Sequence, residues 1–201
     1  MAVTKFSLCS QAFIGLGANT ISDFDVDPVT GLYDSNEKTL AATRYDSIKR
    51  SELSGYQWSF CTYTVELSRE VVTPPAPWTY QFLPPSDMLR IVRCEDTSGD
   101  GIDYELRSNK VYSDSDRVLA RYMADVDEDD MPPYFQELMV ARLRWEFSGP
   151  IRDEGSKQER ALKEYQLARR EARRTDAQSN PPSRLYTGRN STWLAAHRSG
   201  G

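Results

Sequence analysis

Residues 54–67, SGYQWSFCTYTVEL, contain a change of hydrophobic period. Before Gly55, apolar residues recur every three to four positions, which is typical of an amphipathic helix. From Tyr56 onward the period is two, so that Trp58 and Phe60 fall on one side of the chain, as in a strand. The stretch therefore predicts a passage from helix to sheet at this point.

Two helices are predicted before this change. The first spans residues 4–16, with Thr4 as its N-cap. The second begins at Ser35 or Asn36 and ends at Gly55. Each carries one apolar stripe, and neither helix can bury that stripe without a partner.

Short runs of β-branched and aromatic residues follow the change of period. The gaps between them hold turn residues, such as Gly99 and Asn109, and are too short for helical crossovers. The runs are therefore predicted to pair as an antiparallel sheet. They are residues 78–82, 88–94, 102–106, 110–112 and 118–123.

Two more helices are predicted after the acidic residues 127–130. The first is broadly apolar and ends at Gly149-Pro150, and the second, roughly residues 153–176, is highly charged. The predicted fold class is α+β and mainly helical, with a four-helix bundle that packs across the β-region. Its parts are a discontinuous bundle of residues 1–56 and 127–176, an inserted antiparallel β-region at 57–126, and an extended C-terminal tail at 177–201.

Composition excludes several functional classes. No run approaches the ~18 apolar residues of a membrane helix, and the N-terminus lacks the basic flank and apolar stretch of a secretory signal. Cys9, Cys61 and Cys94 are odd in number and widely spaced, which favours buried thiols over a disulfide frame or a zinc site. The single histidine, His197, lies near the C-terminus, which argues against histidine-based catalysis in a folded core.

Two motif fragments fall short of a ligand site. Residues 15–20, GLGANT, match only two positions of a phosphate-binding loop and end a helix instead of opening one. Residues 96–101 imitate half of a calcium loop, but the twelfth position is Arg107 where a glutamate is required. No catalytic residue, cofactor or metal is therefore predicted.

Charge is unevenly divided along the chain. From Pro150 onward there are 11 basic and 6 acidic residues, a balance of +5, whereas the rest of the chain, with 14 basic and 24 acidic residues, carries -10. The tail has no acid but contains aromatic residues and arginines, which are the usual anchors of protein interfaces. The pattern favours a tail that docks on a partner, and the alternative is an idle tail.

Several segments, taken in order, resemble a known family. They are residues 14–17 with 21–24, then 55–60, 80–90 and 130–135, the last followed by a long charged helix. Over about residues 8–176 this order resembles the head-to-tail adaptor of short-tailed bacteriophages, also called the connector or tail tubular protein A. The family fold is a helical bundle with an inserted β-region, which agrees with the pattern above.

The resemblance implies a structural, non-enzymatic protein of the virion head–tail junction, assembled in the host bacterial cytoplasm. Such adaptors form a ring of twelve copies below the portal protein, extend the channel for genomic DNA, and carry the tail nozzle or fibres. The DNA passes without specific binding, and no membrane is involved. The C-terminal segment of such adaptors reaches the portal, and here the portal-binding candidates are Arg184, Leu185, Tyr186, Arg189, Trp193 and Leu194.

A ring requires two different complementary faces on each subunit. The last helix offers charges of both signs for such a contact, although an ordinary solvated helix would look similar. The interface candidates are Glu159, Arg160, Lys163, Glu164, Arg169, Glu171 and Arg173. An acidic channel wall would repel the DNA phosphates and let the DNA slide. The channel candidates are Asp125, Asp127, Glu128, Asp129 and Asp130.

Two alternative functions remain open at this point. The first is a tail-associated cell-wall hydrolase, in which Glu146, between Trp145 and Phe147, would be the acidic residue. The second is an accessory protein that binds nucleic acid through the arginines of residues 169–174.

Overall fold

The computed structural model describes residues 2–28, 30–151 and 155–179. In this part of the chain, four long helices flank a β-region that lies between the second and the third. The helices are α1 (Lys5–Leu16), α2 (Asn36–Ser54), α3 (Pro133–Ile151) and α4 (Gly155–Ser179). The predicted α+β class, dominated by helix, is confirmed.

Local capping chemistry starts the first two helices where the sequence predicts. The Thr4 hydroxyl accepts from the Ser7 backbone N–H, and the Ser7 hydroxyl accepts from the Thr4 N–H, which completes a capping box. Ser35 caps α2 by accepting from the Lys38 N–H. Gly17 ends α1 in the left-handed conformation, with φ of 66°, where a β-carbon would be strained.

The β-region forms two antiparallel sheets, where one was expected. Its strands are β1 (Thr62–Glu66), β2 (Ser68–Arg69), β3 (Tyr80–Leu83), β4 (Met88–Glu95), β5 (Tyr104–Arg107), β6 (Lys110–Ser113) and β7 (Leu119–Ala124). The first sheet has the order β1-β7-β4 and the second β2-β3-β6-β5. Leu67 lies between β1 and β2, so the chain leaves the first sheet and enters the second within one residue.

The first sheet belongs to the same hydrophobic core as the helices. Tyr122 and Met123 on β7 are buried together with Phe13 of α1 and Phe135 of α3. A smaller core beneath the second sheet contains Phe82, Val111 and Ala120, and Ala120 again comes from β7. Strand β7 therefore contributes to both cores, and the β-region is not a separately packed insertion.

The segment before β1 differs from the expected strand. Ser59–Cys61 form one turn of 3-10 helix, and Trp58 is fully buried among the helices, where its indole N–H donates to the Glu52 carbonyl. Burial of this large ring against Phe135, at 5.1 Å between ring centroids, outweighs the local alternation that favours a strand. The boundary predicted at residue 57 therefore does not separate two cores.

The last two helices extend beyond their predicted ends. Helix α3 continues through Pro150 to Ile151, although the proline has no N–H to donate to the carbonyl of Glu146. Helix α4 runs to Ser179, so residues 177–179 are helical and not part of an extended tail.

Helices α3 and α4 pack side by side in antiparallel orientation. The rings of Trp145 and Tyr165 stack at 5.4 Å, and the Tyr134 hydroxyl donates to Asp176 at 2.8 Å. The two contacts are eleven residues apart on each helix, so the register is constant along the pair. On its other sides α3 packs against α1 and α2, which leaves α4 at the edge of the bundle.

Candidate functional site

Helix α4 has a long side that faces solvent. The helix has 25 residues, which corresponds to ~37 Å. Its buried residues, Ala161, Tyr165, Ala172 and Asp176, form one narrow stripe toward α3. Most of the remaining circumference is exposed, so α4 is the helix most available to a second molecule.

The outward side of α4 carries charges of both signs around an exposed leucine. Leu167 is 54% exposed near the middle of the helix. Five charged side chains on this side form no ion pair with another described residue. They are Glu159, Lys163, Arg170, Glu171 and Arg174. This surface, which we call the α4 outer face, combines an apolar contact with charges that a partner can neutralise.

Two of the predicted interface residues, Arg160 and Glu164, are paired within the subunit. Glu164 accepts from Arg160 at 2.9 Å and from Arg144 at 3.1 Å. Desolvation raises the pKa of Glu164, but the hydrogen bonds from these two guanidinium groups outweigh it and lower the pKa overall. Glu164 therefore links α4 to α3, and of its two partners only Arg160 is well exposed, with 82% of its side chain accessible.

Arg169 and Arg173 lie on the opposite edge of α4, toward the end of α2. The Arg173 guanidinium lies 4.8 Å from the centre of the Tyr56 ring, and the Arg169 guanidinium lies 6.0 Å from that of Tyr165. A β-carbon on Gly55 would lie 3.6 Å from an Arg169 nitrogen, which is ordinary van der Waals contact. The stacked arginines Arg169 and Arg173 support the fold and leave Arg170 and Arg174 as the exposed arginines of residues 169–174.

Two of the predicted channel carboxylates point into the protein. Lys49, which is 9% exposed, lies 3.2 Å from Asp125 and 3.3 Å from Glu128. The Tyr45 hydroxyl also donates to Glu128, and the Arg50 guanidinium donates to Asp125. This network fastens α2 to the segment between β7 and α3, so its charge is compensated within the subunit.

The other three channel candidates are exposed. Asp127, Asp129 and Asp130 lie at a 3-10 turn, Glu128–Asp130, that precedes α3. Asp129 accepts a backbone hydrogen bond from Val3 at 2.6 Å, and Asp127 and Asp130 extend into solvent. The uncompensated acidity of this segment therefore comes from these three side chains.

A buried polar cluster between α2, α3 and α4 escaped the sequence analysis. The side chain of Glu52 is 4% exposed, accepts from the Tyr165 hydroxyl at 2.6 Å, and lies 3.6 Å from Arg142. Arg142 also stacks over Trp145 at 4.6 Å and pairs with Glu146 at 2.7 Å. One signal was present in the sequence: an acid such as Glu52 near a helix C-terminus opposes the dipole and requires a compensating partner.

Asp176 is a second residue of this kind, in the final turns of α4. It is 3% exposed and accepts from the Ser59 N–H, the Ser59 hydroxyl and the Tyr134 hydroxyl. Burial and the hydrogen bond to this carboxylate raise the pKa of Tyr134. Asp176 thus joins the end of α4 to the start of the β-region.

Glu146, the acid of the hydrolase hypothesis, is paired with two arginines. Its carboxylate lies 2.7 Å from Arg142 and 3.6 Å from Arg44, at the edge of an open depression between α2 and α3. A general acid of a glycosidase needs surroundings that favour its neutral form. Glu146 is instead paired with Arg142 and Arg44, and this geometry supports a role in joining the helices.

The predicted portal-binding residues lie outside the described residues. They are Arg184, Leu185, Tyr186, Arg189, Trp193 and Leu194. The last described residue before them is Ser179, at the end of α4, which lies near the start of α3.

Searches for ligand sites and for related proteins complete this description. Among residues 2–28, 30–151 and 155–179, no three side chains of His, Cys, Asp or Glu are grouped to hold a metal ion. None of the helices in those ranges is long and apolar enough to cross a bilayer. No protein-family model and no curated protein matches the chain.

Proposed function

We propose that this protein is a structural head-to-tail adaptor of a short-tailed bacteriophage, which assembles into a ring between the portal and the tail. The observation that carries the proposal is the α4 outer face, because an exposed leucine between uncompensated charges is a surface suited to a specific partner. The ordered resemblance of residues 8–176 to the adaptor family agrees with this assignment.

In a ring, each subunit binds its neighbour through two different faces. The α4 outer face serves as one of them, with Leu167 at the centre and Lys163, Arg170 and Glu171 around it. Helix α4 suits this task because the networks of Glu164 and Asp176 fasten it to the bundle on its inner side. Little conformational entropy is then lost when the outer side binds a neighbour.

The exposed acids Asp127, Asp129 and Asp130 are assigned to the wall of the DNA channel. Like charge keeps the phosphates from binding, so the DNA moves through without a specific site. Asp125 and Glu128 contribute to this wall indirectly, since their ion pairs with Lys49 hold the segment in place.

The segment after Ser179 is assigned to the portal, and the distal side of the ring to the tail nozzle or fibres. Arg184, Tyr186 and Trp193 would act as anchors, because arginine and aromatic side chains carry most of the binding energy at interfaces. The protein has no catalytic role in this proposal and uses no cofactor.

Light scattering on the full chain, alone and mixed with the portal protein of the same phage, tests the assembly. Twelve copies of 22.9 kDa give a ring of ~275 kDa. Leu167→Asp combined with Arg170→Glu should abolish the ring, and Asp100→Lys in an exposed turn of the β-region is the matched control. A chain that stays monomeric with and without portal contradicts the proposal.

Portal binding is tested separately by deleting residues 180–201, which leaves α4 complete. The deletion should abolish binding to the portal, while the remaining fold still unfolds in a single cooperative transition on heating. Unchanged affinity for the portal would contradict the assignment of this segment.

A further inference from the structure

A groove lies between α1 and α3, and its charge and position suggest an occupant. It encloses about 420 Å³ and has a floor of Val140 and Ala141 on α3. Gln11 of α1 forms one wall, and Pro133 and Arg144 mark its two ends along α3. The eleven residues between these ends correspond to ~17 Å of helix.

The side of the groove near Pro133 is acidic. Arg144 pairs with Glu164 across the α3–α4 contact, and Glu137 and Glu171 each lie seven residues away in the same direction along the two antiparallel helices. Seven residues are two helical turns. Glu137 and Glu171 therefore occupy, two turns further along the α3–α4 pair, the positions that correspond to Arg144 and Glu164. Both are exposed, and neither forms an ion pair with another described residue.

Two like charges at one level of a helix pair repel each other unless a cation lies between them. Two turns along the helix pair, Arg144 supplies such a cation to Glu164. Arg144 is therefore engaged by Glu164, and a cation from another part of the chain or from a partner would relieve the repulsion between Glu137 and Glu171.

The C-terminal segment begins beside this acidic end. Asp176 binds Tyr134, the residue after Pro133, so Ser179 ends α4 about one turn beyond the start of the groove. Residues 180–201 contain three arginines, Arg184, Arg189 and Arg198, and no acid. Six extended residues span ~20 Å, so this segment is long enough to turn back and follow the whole groove.

We propose that, in the free subunit, residues 183–194 of the same chain dock along the α1–α3 groove, entering it at the Pro133 end. Arg184 pairs with Glu137 and Glu171, and Leu185 and Tyr186 cover the Val140 and Ala141 floor. The inference rests on the proposed function, because these are the residues assigned to the portal. Binding to the portal then requires release from the groove, so the groove keeps the anchor covered until the portal is present.

Limited trypsin digestion of the full chain, without portal, tests the docking. Cleavage after Arg184 and Arg189 is followed by mass spectrometry in the wild type and in a Glu137→Gln, Glu171→Gln variant. Loss of two partly exposed ion pairs should raise the cleavage rate about fivefold. Glu159→Gln, which neutralises an exposed acid of the same helix ~18 Å from Glu171, is the matched control and should leave the rate unchanged.

Trp193 supplies a second readout that does not depend on cleavage. The difference spectrum between the wild type and Trp193→Phe isolates the emission of this tryptophan, which should shift to the red in the Glu137→Gln, Glu171→Gln variant. Equal cleavage rates and equal emission in the wild type and this variant would overturn the inference. Protection that falls on dilution would also overturn it, since the segment would then occupy the groove of a neighbouring copy.

These outcomes are distinguishable from failure of the adaptor proposal. Docking is measured without portal and at concentrations below assembly, whereas the adaptor proposal depends on ring mass and portal binding. A docked segment in a chain that never assembles would leave the groove assignment intact and contradict the adaptor function.

Discussion

The guanidinium of Arg144 occupies the space in which a β-carbon on Gly15 would lie. Gly15 belongs to α1 and Arg144 to α3, so the absence of a side chain lets the arginine cross the helix surface and reach Glu164 at 3.1 Å. Gly15, which belongs to the partial match to a phosphate-binding loop, thus allows α1, α3 and α4 to pack together.

This relationship predicts a coupling between the two positions. In an Arg144→Ala background, Gly15→Ala should stabilise the fold by up to ~1 kcal/mol, because alanine favours helix more than glycine does. In the wild type the same change should stabilise less or destabilise, since Arg144 must move and loses Glu164. A double-mutant cycle by urea unfolding measures the difference. Equal effects in both backgrounds would show that the close approach carries no energy.

Asp176→Ala should destabilise the fold by ~2–4 kcal/mol, because it leaves the Ser59 N–H and the Tyr134 hydroxyl buried without their acceptor. Glu171→Ala, an exposed acid on the same helix, is the matched control and should change stability by less than ~0.5 kcal/mol. Urea unfolding measures both, and similar small losses would refute the anchoring role of Asp176.

Glu52→Ala should cost ~3–5 kcal/mol, since it removes one of the two carboxylates that pair with Arg142 and leaves the Tyr165 hydroxyl without its acceptor. Tyr165→Phe removes only the hydroxyl hydrogen bond and should cost ~1–2 kcal/mol. The order of the two losses, measured by denaturant unfolding, tests whether the charge or the hydrogen bond dominates. A larger loss in Tyr165→Phe would contradict the interpretation.

The three thiols should resist alkylation in the folded protein. Cys9, Cys61 and Cys94 are all buried, and burial raises the pKa to about 12 for Cys9, about 12 for Cys61 and about 11 for Cys94. The thiolate, which is the reactive form, is then nearly absent at neutral pH. Iodoacetamide at pH 8 should label none of them until denaturant is added, as mass spectrometry will show. Rapid labelling of any one in the native state would disprove its burial.

Asp23 should contribute to acid unfolding. The Lys38 ammonium, 2.6 Å away, lowers the pKa of the Asp23 carboxyl from 3.8 to about 2 in the folded state. The stabilisation is therefore complete above pH ~4 and is lost as the pH falls toward 2. Asp23→Asn should flatten this part of the stability profile. Asp25→Asn, two residues away, is the control, and an unchanged acid limb in Asp23→Asn would contradict the prediction.

Local chemistry accounts for what was predicted well. Thr4 and Ser35 cap helices through backbone N–H groups three residues away, and Gly17 takes the left-handed conformation that ends α1. Such contacts involve neighbours in the chain, so the residues themselves reveal them. The antiparallel pairing followed in the same way from the short turns between the strands.

The candidate site was predicted less completely. The sequence identified α4 and its charges, but it placed Glu164 and Glu171 in one class of interface residue. The structure separates them, because Glu164 meets Arg144 on α3 while Glu171 meets no cation among the described residues. Helical spacing alone does not reveal which face of α4 packs on α3.

The amino-acid sequence determined by itself the helices, their caps, the strands and the overall distribution of charge, since each depends on residues a few positions apart. The tertiary structure decided which charges remain available to a partner. Asp176 and Ser59 are 117 residues apart, and Lys49 and Glu128 are 79 apart. A charge is compensated only when folding brings its partner within a few ångströms, and that distance depends on the packing of the whole chain.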